Sequence, residues 1–198
     1  MRVFGCMLLL VLVLAVPSWG ASPTVEVRTT VDEVVRIVAD KELKKPHNEQ
    51  KRRKALKGAI GLLFDHGEMA KRSMGQNWKE ISPLQQKEFT DLFATLLENS
   101  YAGKIESYNN EKIVYLKEVV EGEYAEVKSR IVTAKRDEFS LEYRLLREGE
   151  RWKVYDVVIE GVSLVSNYRS QFNKIIKSQG YPELVKRLKV KKEELTAP

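Results

Sequence analysis

The sequence is nearly devoid of cysteine, which removes several classes of chemistry at once. Cys6 is the only cysteine among 198 residues, and it lies within the N-terminal apolar run. Once that run is removed, the chain can form no disulfide framework, no thiolate metal site and no cysteine nucleophile. An ordinary apolar core must then hold the fold, and the chain is long enough for one domain with a large core or a cavity.

Histidine is almost as scarce. His47 and His66 are the only two, and their spacing matches no metal-binding motif. Both fall in polar or helix-edge surroundings, which favour a solvated or capping role. The sequence also lacks a G-x-S-x-G nucleophile elbow, a phosphate-binding loop and a dinucleotide fingerprint. We therefore expect no metal, no cofactor and no catalytic residues.

Asp156 is the one residue that supports an enzyme hypothesis. It falls in an apolar strand, and simple alternation places it on one face with Trp152, Val154 and Val158. A carboxylate in such surroundings could act as a general base on an apolar ring substrate. The interpretation that we favour is structural, with Asp156 bonded to a helix end or to a nearby arginine.

The excess of positively over negatively charged residues is also small. The formal net charge is +6, and loss of Arg2 with a signal peptide would leave +5. Basic residues concentrate in 41–45, 51–54 and 186–192. Such clusters usually coat solvated helix faces, although attraction to anionic headgroups or to an acidic protein partner stays open. They are not interleaved with aromatic residues, so we expect no nucleic-acid partner.

The N-terminus carries a long apolar run over residues 3–16, followed by small residues just before Ala21. The run is shorter than the roughly 20 residues that span a bilayer. We predict a cleaved signal peptide over residues 1–20 and a single mature domain over residues 21–198. The mature protein should therefore be exported.

Helical periodicity fills the first half of the mature sequence. Valines between Val27 and Val38 predict an amphipathic helix that ends before Pro46. A second helix follows, which carries Leu56, Ile60, Leu62, Leu63 and Phe64. Ser82, with proline next and glutamine three residues on, predicts the start of a long third helix. Its apolar stripe comprises Phe89, Leu92, Phe93, Leu96, Leu97, Tyr101, Ile105 and Tyr108.

From Lys112 the period changes to alternation, which predicts about four strands at 113–120, 124–134, 139–146 and 151–159. The short turns between them predict antiparallel hairpins. After Gly161 a helical period returns, and a short last helix follows Pro182. The predicted fold is α+β: N-terminal helices, a curved antiparallel sheet and C-terminal helices. One sheet face should be buried and the other wet.

The stretch W-K-V-Y-D-V-V-I-E-G-V-S at 152–163, continuing to Phe172, resembles the C-terminal motif of the MlaC family, also called the toluene-tolerance family. A second block, from Phe64-Asp65 through Met74-Gly75 to Trp78, resembles the helical half of the family, as does the helix from Ser82 to Tyr101. The resemblance extends over about residues 25–188.

This resemblance implies a periplasmic carrier of phospholipid between the outer and inner membranes of a Gram-negative envelope. It implies a cone like that of nuclear transport factors, in which a curved sheet and helices enclose an apolar cavity. It also implies two partners, an outer-membrane lipoprotein complex and an inner-membrane ABC transporter complex with a lipid-binding ring subunit. A related subgroup handles hopanoid-type lipids, so that ligand class stays open. We expect a monomer.

Lipid tails would need a broad apolar lining, and the strand and helix stripes supply candidates. At each position, core packing is as compatible with the pattern as tail contact. Tyr168 and Arg169 are the candidates for the headgroup, with a structural pair between Arg169 and Asp156 or Glu160 as the alternative. The predicted tail-binding residues are Phe93, Leu97, Tyr101, Phe139, Leu141, Tyr143, Trp152, Val154, Val158, Phe172 and Ile176.

Overall fold

A computed structural model describes residues 20–196, in which six α-helices flank a five-stranded antiparallel sheet. Residues 1–19 of the predicted signal peptide, which include Cys6, lie outside this range. The helices are α1 (Pro23–Ala39), α2 (Glu49–Leu63), α3 (His66–Met74), α4 (Pro83–Glu106), α5 (Leu164–Gln179) and α6 (Tyr181–Thr196). The strands are β1 (Lys112–Glu121), β2 (Tyr124–Val132), β3 (Glu138–Glu148), β4 (Arg151–Ile159) and β5 (Val162–Ser163).

The helix ends follow the capping chemistry of the sequence. Ser82 accepts from the backbone N–H of Gln85, and the Gln85 side chain accepts from the Ser82 N–H, so the predicted start of α4 is confirmed as a capping box. Ser22 caps α1 in the same way, with proline at the first helical position. Within the described residues, no helix has the length and apolar character needed to cross a bilayer.

Several helical predictions need correction. α3 and a 3-10 helix at Gly75–Glu80 occupy a segment for which the sequence predicted no element. α2 ends at Leu63, one residue before its predicted end, because Phe64 turns to an extended conformation. The last helix, α6, spans 16 residues and is not short.

The sheet is a simple meander in which spatial order equals chain order. The four predicted strands and their hairpin pairing are confirmed, and a two-residue strand, β5, adds a fifth. β5 covers only the end of β4. Nearer the start of β4, the chain between α2 and α3 lies along the edge, where the Asp65 N–H donates to the Val154 carbonyl oxygen at 2.9 Å.

A β-bulge in β4 changes which side chains share a face. Tyr143 pairs with Val157 and Leu145 pairs with Val154, so one extra residue of β4 is accommodated between the two pairs. Alternation is therefore interrupted after Val154. The expectation that Val158 and Asp156 share a face with Trp152 and Val154 is wrong, because both lie beyond the bulge, on the opposite face.

Three clusters of buried side chains form the interior. The sheet cluster lies on one face of β2, β3 and β4, where α1 contributes Val27 and α2 contributes Leu63. The helical cluster lies among α3, α4, α5 and α6 and contains Phe89, Phe93 and Phe172. A smaller cluster joins α1 to α2 through Ile37 and Leu56. Phe64 packs against both the sheet and the helical cluster.

Candidate functional site

The inner face of the sheet, defined as the face that carries Tyr143 and Leu145, is apolar at both of its ends. One end, which we call the closed end, is fully buried. The other, which we call the open end, is formed by cross-strand neighbours that are only half-buried or exposed. The closed end comprises Ala125, Val127, Leu145, Trp152 and Val154, and the open end comprises Ile113, Ile131, Phe139, Leu141 and Ile159.

Helix α1 covers this face and is fastened at the closed end. Arg151, at the start of β4, donates two hydrogen bonds to the Glu26 carboxylate, at 3.2 and 2.9 Å. The Thr24 backbone N–H also donates to the Glu118 carboxylate of β1 at 2.7 Å. Val27 is completely buried here, and one helical turn later Val31 is only half-buried. The cover therefore loosens toward the open end.

Three polar side chains interrupt the inner face between its two ends. The Ser129 hydroxyl is buried and donates to the Leu141 carbonyl oxygen at 3.3 Å. The Tyr143 hydroxyl is hydrogen-bonded to Ser129, and burial raises the pKa of Tyr143 to about 12. Tyr115 lies directly opposite Ser129, and burial also raises the pKa of its hydroxyl well above the usual range.

The predicted lining residues divide between two regions. Tyr143, Trp152 and Val154 lie in the sheet cluster, with Leu141 packed at its edge. Phe139 shares their face, but it is 45% exposed at the end of the sheet, so its expected burial is wrong. Val158 is buried on the opposite face. The helical candidates all lie in the helical cluster: Phe93, Leu97, Tyr101, Tyr168, Phe172 and Ile176.

Aromatic rings pack against one another in the helical cluster. The Phe93 ring centroid lies 5.3 Å from that of Tyr168 and 5.5 Å from that of Phe172, both edge to face. Phe89 completes the group, 5.9 Å from Phe93 and 5.6 Å from Phe172. Such contacts stabilise a core without any ligand, so core packing accounts for these three candidates. Tail contact at these positions stays a prediction.

Arg169 does not form the predicted structural pair with Asp156 or Glu160. Its Nε donates to the Arg72 carbonyl oxygen at 2.7 Å, and its aliphatic stem lies against Gly75. The positive φ of Gly75 (58°) disfavours a larger residue there. Arg169 therefore fixes α5 to the end of α3.

Asp156 has the structural role that the sequence favoured. Its carboxylate accepts from the Ser163 hydroxyl at 2.6 Å, from the Val165 backbone N–H at 3.0 Å and from Arg144 at 3.4 Å. The first two partners lie at the N-terminus of α5, where a negative charge is favourable. Asp156 thus joins the outer face of the sheet to α5. Among the described residues, no group of histidine, cysteine and carboxylate side chains is arranged to hold a metal.

Two surface clefts lie away from all of these residues. The larger, of about 580 Å³, lies between α4 and α6 and is lined mainly by charged side chains, among them Lys87, Glu88 and Lys189. A second cleft of about 280 Å³ lies beside Val38 and Arg52. Neither cleft is lined by a predicted tail-binding residue.

The sequence that forms the inner face and its flanking helices matches a known protein family. A sequence model described as MlaC protein matches residues 28–190, which include most of α1, every element from α2 to α5 and most of α6. The chain belongs to the MlaC family. The resemblance inferred from the 152–163 motif is thereby confirmed.

Individual MlaC relatives agree with this assignment. The chain is 29% identical over 120 residues to the intermembrane phospholipid transport system binding protein MlaC of Haemophilus influenzae, covering 58% of this chain and 56% of that protein. It is 26% identical over 128 residues to the toluene tolerance protein ttg2D of Pseudomonas putida, covering 64% and 60%. The chain thus matches less than two thirds of the length of either relative.

A solved structure extends the comparison to the whole fold. The phospholipid-binding protein of Ralstonia solanacearum, solved in complex with a phospholipid, superposes with a TM-score of 0.79 at 29% identity. The match covers 88% of this chain and 99% of that one. The chain therefore shares its α+β fold, with a curved antiparallel sheet, with this phospholipid-binding protein.

Sequence reasoning missed part of the inner face. Ile131 pairs with the predicted Phe139, and Ile113 pairs with Ile131. Tyr115 and Val31 of α1 both pack against the sheet cluster. Alternation in β1 and β2 carried the signal for the three strand residues, because side chains two apart share a face. Alternation in the sequence does not show which helix packs against these strand residues.

Proposed function

We propose that this chain is a periplasmic lipid carrier that shields the tails of a phospholipid while moving it between the outer and inner membranes. The observation that supports this most directly is the open end of the inner sheet face. There, five apolar side chains in adjacent strands remain half-buried or exposed. A contiguous apolar surface of this kind usually marks a binding site.

The energetics of lipid transfer explain why such a face is needed. Burial of a methylene group is favourable by about 0.8 kcal/mol, so the transfer of a two-tailed lipid of roughly thirty methylenes into water is unfavourable by about 25 kcal/mol. A carrier has to replace most of that loss with apolar contact. The open end alone is too small, so the tails must extend along the inner face beneath α1.

Entry beneath α1 requires this helix to move relative to the sheet. Its N-terminal contacts with Arg151 and Glu118 hold the closed end, whereas Val31 and Val34 are only half-buried. We propose that α1 swings about its fastened end and opens a tail-binding cavity between the inner face and the α1–α2 pair. Phospholipid then displaces side-chain contacts that the empty protein makes with itself.

The proposed route has a donor and an acceptor for lipid. The Haemophilus influenzae relative is named as the binding protein of an intermembrane phospholipid transport system, which supports transfer between two membranes. We infer an outer-membrane lipoprotein complex at one side and an inner-membrane ABC transporter complex with a lipid-binding ring subunit at the other, as the resemblance to the MlaC family implies. No chemical step is involved. Hopanoid-type lipids are the alternative ligand class, since an apolar face does not by itself discriminate among apolar tails.

The test is to purify the chain from a Gram-negative host, extract bound lipid with organic solvent and identify it by mass spectrometry. Near-stoichiometric phospholipid is the expected result. A protein that stays lipid-free after expression in such a host, and after incubation with phosphatidylethanolamine and phosphatidylglycerol vesicles, would refute the proposal. Recovery of hopanoid-type lipid alone would favour the alternative class.

The enzyme hypothesis is tested with Asp156→Asn. If Asp156 is a general base, this change should abolish turnover of an apolar ring substrate; if it is not, lipid loading should stay intact. The three donors that surround Asp156 favour a structural result instead, namely a less stable protein. Salt-sensitive binding to a protein partner, without any bound lipid, would favour a plain adaptor.

A further inference from the structure

The hydroxyl group of Tyr115 stands out in the part of the chain that the structure describes. It is a completely buried side-chain oxygen without a hydrogen-bond partner. A buried polar group that is left unpaired destabilises the fold, and native proteins contain few of them. Its neighbours Ser129 and Tyr143 are both hydrogen-bonded, so the lack of a partner is specific to Tyr115.

Tyr115 is also placed between the apolar face and solvent. It follows Ile113 of the open end by two residues and pairs with Ser129, which in turn pairs with Leu141. Its ring packs against the sheet cluster together with Val31 of α1. A ligand that entered beneath α1 from the open end would therefore pass this hydroxyl.

Arg28 of α1 lies over the same ring. The guanidinium carbon is 4.8 Å from the Tyr115 ring centroid, in cation–π geometry, and the residue is exposed. Among the described residues, no carboxylate forms an ion pair with Arg28, so its charge stays available to an anion from solvent. The contact between Arg28 and Tyr115 thus places an exposed cation next to a buried hydroxyl donor.

We infer that Arg28 and Tyr115 bind the polar part of the carried lipid, an inference that rests on the proposed function. The Tyr115 hydroxyl donates to an ester carbonyl oxygen at the glycerol, and Arg28 contacts the phosphate. From solvent to interior, the protein then presents cation, hydroxyl and apolar face. A phospholipid presents phosphate, ester and tails in the same order. The headgroup site lies at α1 and β1 and not at Arg169, which is occupied by the Arg72 carbonyl oxygen.

Tyr115→Phe tests the hydroxyl, and Tyr143→Phe is its matched control. Each change removes one buried phenolic hydroxyl from the same face, but only that of Tyr143 has a partner within the protein. Without lipid, the unfolding midpoint of Tyr115→Phe should stay unchanged or rise, because an unpaired polar group is removed. That of Tyr143→Phe should fall. A clear fall for Tyr115→Phe would show that its hydroxyl is bonded within the empty protein and would overturn the inference.

The ligand side of the same test uses a diester phosphatidylglycerol and its diether analogue, which lacks both carbonyl oxygens. For the diester lipid, Tyr115→Phe should weaken binding about five-fold, the usual value of one hydrogen bond. For the diether lipid the variant and the parent should bind equally. An equal loss with both lipids would mean that the hydroxyl acts on packing alone, which contradicts the assignment.

Arg28→Gln tests the cation, with Arg36→Gln as the control. Both residues are exposed on α1, but Arg36 is paired with Glu33 in the helix itself. Arg28→Gln should weaken phosphatidylglycerol binding about five-fold at low salt and less at high salt. Binding of diacylglycerol, which lacks the phosphate, should not change. If the two arginine variants have equal effects, Arg28 acts only through the net charge of the protein, and its assignment to the phosphate is overturned.

These outcomes separate the inference from the proposed function. If the parent protein binds neither the diester nor the diether lipid, the carrier proposal fails. If the parent binds both and Tyr115→Phe and Arg28→Gln show no selective loss, the carrier proposal stands and the Arg28–Tyr115 site is refuted.

Discussion

The two ends of the inner sheet face carry the same kind of side chain but are covered differently. At the closed end Val127, Leu145 and Val154 are 0% exposed, whereas at the open end Phe139 is 45% exposed. The same strands supply both ends, so composition does not explain the difference. The cover does, because α1 is fastened by hydrogen bonds at the closed end, and its apolar contact with the sheet weakens from the buried Val27 to the half-buried Val31. Stability is thus concentrated at one end, and binding surface is kept at the other.

The largest expected effect compares Leu145→Ala with Leu141→Ala on the same strand. Truncation at the closed end should lower the free energy of unfolding by about 3 kcal/mol, since it leaves a cavity in a packed core. At the half-buried Leu141, about 1 kcal/mol should be lost, but lipid loading should suffer more. Equilibrium urea unfolding and lipid extraction provide the two measurements. Equal stability losses would break the comparison between the ends.

Asp156→Asn tests whether the outer face contributes to stability alone. The amide keeps one acceptor but loses the charge that faces Arg144 and the N-terminus of α5, so we expect a loss of about 2 kcal/mol. The control Glu148→Gln, at an exposed end of β3, should change stability by less than about 0.5 kcal/mol. Lipid loading should be equal in both. A loading defect in Asp156→Asn at temperatures where it is folded would link the outer face to binding.

Phe139→Ser should separate binding from stability at the open end. Loss of an exposed ring should cost the fold less than about 1 kcal/mol but weaken lipid binding about five-fold, because tail contact is lost. Leu84→Ser is the control, since Leu84 is 78% exposed on α4, far from the sheet. Fluorescent phospholipid titration measures both. The same affinity for both variants would remove the open end from the site.

The smallest effect concerns pH at the closed end. His66 begins α3, next to the segment along β4, and burial lowers the pKa of its imidazole below the usual value. As pH falls below about 6.5, unfolded His66 takes up a proton that the folded form resists, so stability decreases. Urea unfolding between about pH 7.5 and about pH 5.5, on either side of that titration, should show a loss of stability with falling pH that His66→Gln reduces. An unchanged slope in His66→Gln would assign it to other groups.

The strands and caps were readable from sequence because their causes are local. Alternation set the boundaries of β1 to β4 within a few residues, and the Ser82–Gln85 pair set the start of α4. α3 was missed because nine residues hold too few turns to show a period. β5, with two residues, is even shorter.

The site was less predictable because it depends on how elements meet. Because of the bulge in β4, Val158 lies on the face opposite to the predicted one, and no residue type in the sequence predicts such a bulge. Phe139 lies on the predicted face of the sheet, but at an end of that face which the helices leave exposed. Arg169 bonds to a carbonyl of α3, an element that the sequence did not reveal. Periodicity predicts which side of an element is apolar, but the neighbour that covers it comes from the tertiary arrangement.

The meander also bears on how the chain reaches its native state. Each strand pairs with the one just made, across turns such as Gly122 and Gly149, whose positive φ of 60° suits tight reversal. Closing a short loop costs little entropy, and chains dominated by such local pairings fold quickly. A sheet of this order can grow hairpin by hairpin and needs no oxidation step. That suits the export to the periplasm that we propose for this chain.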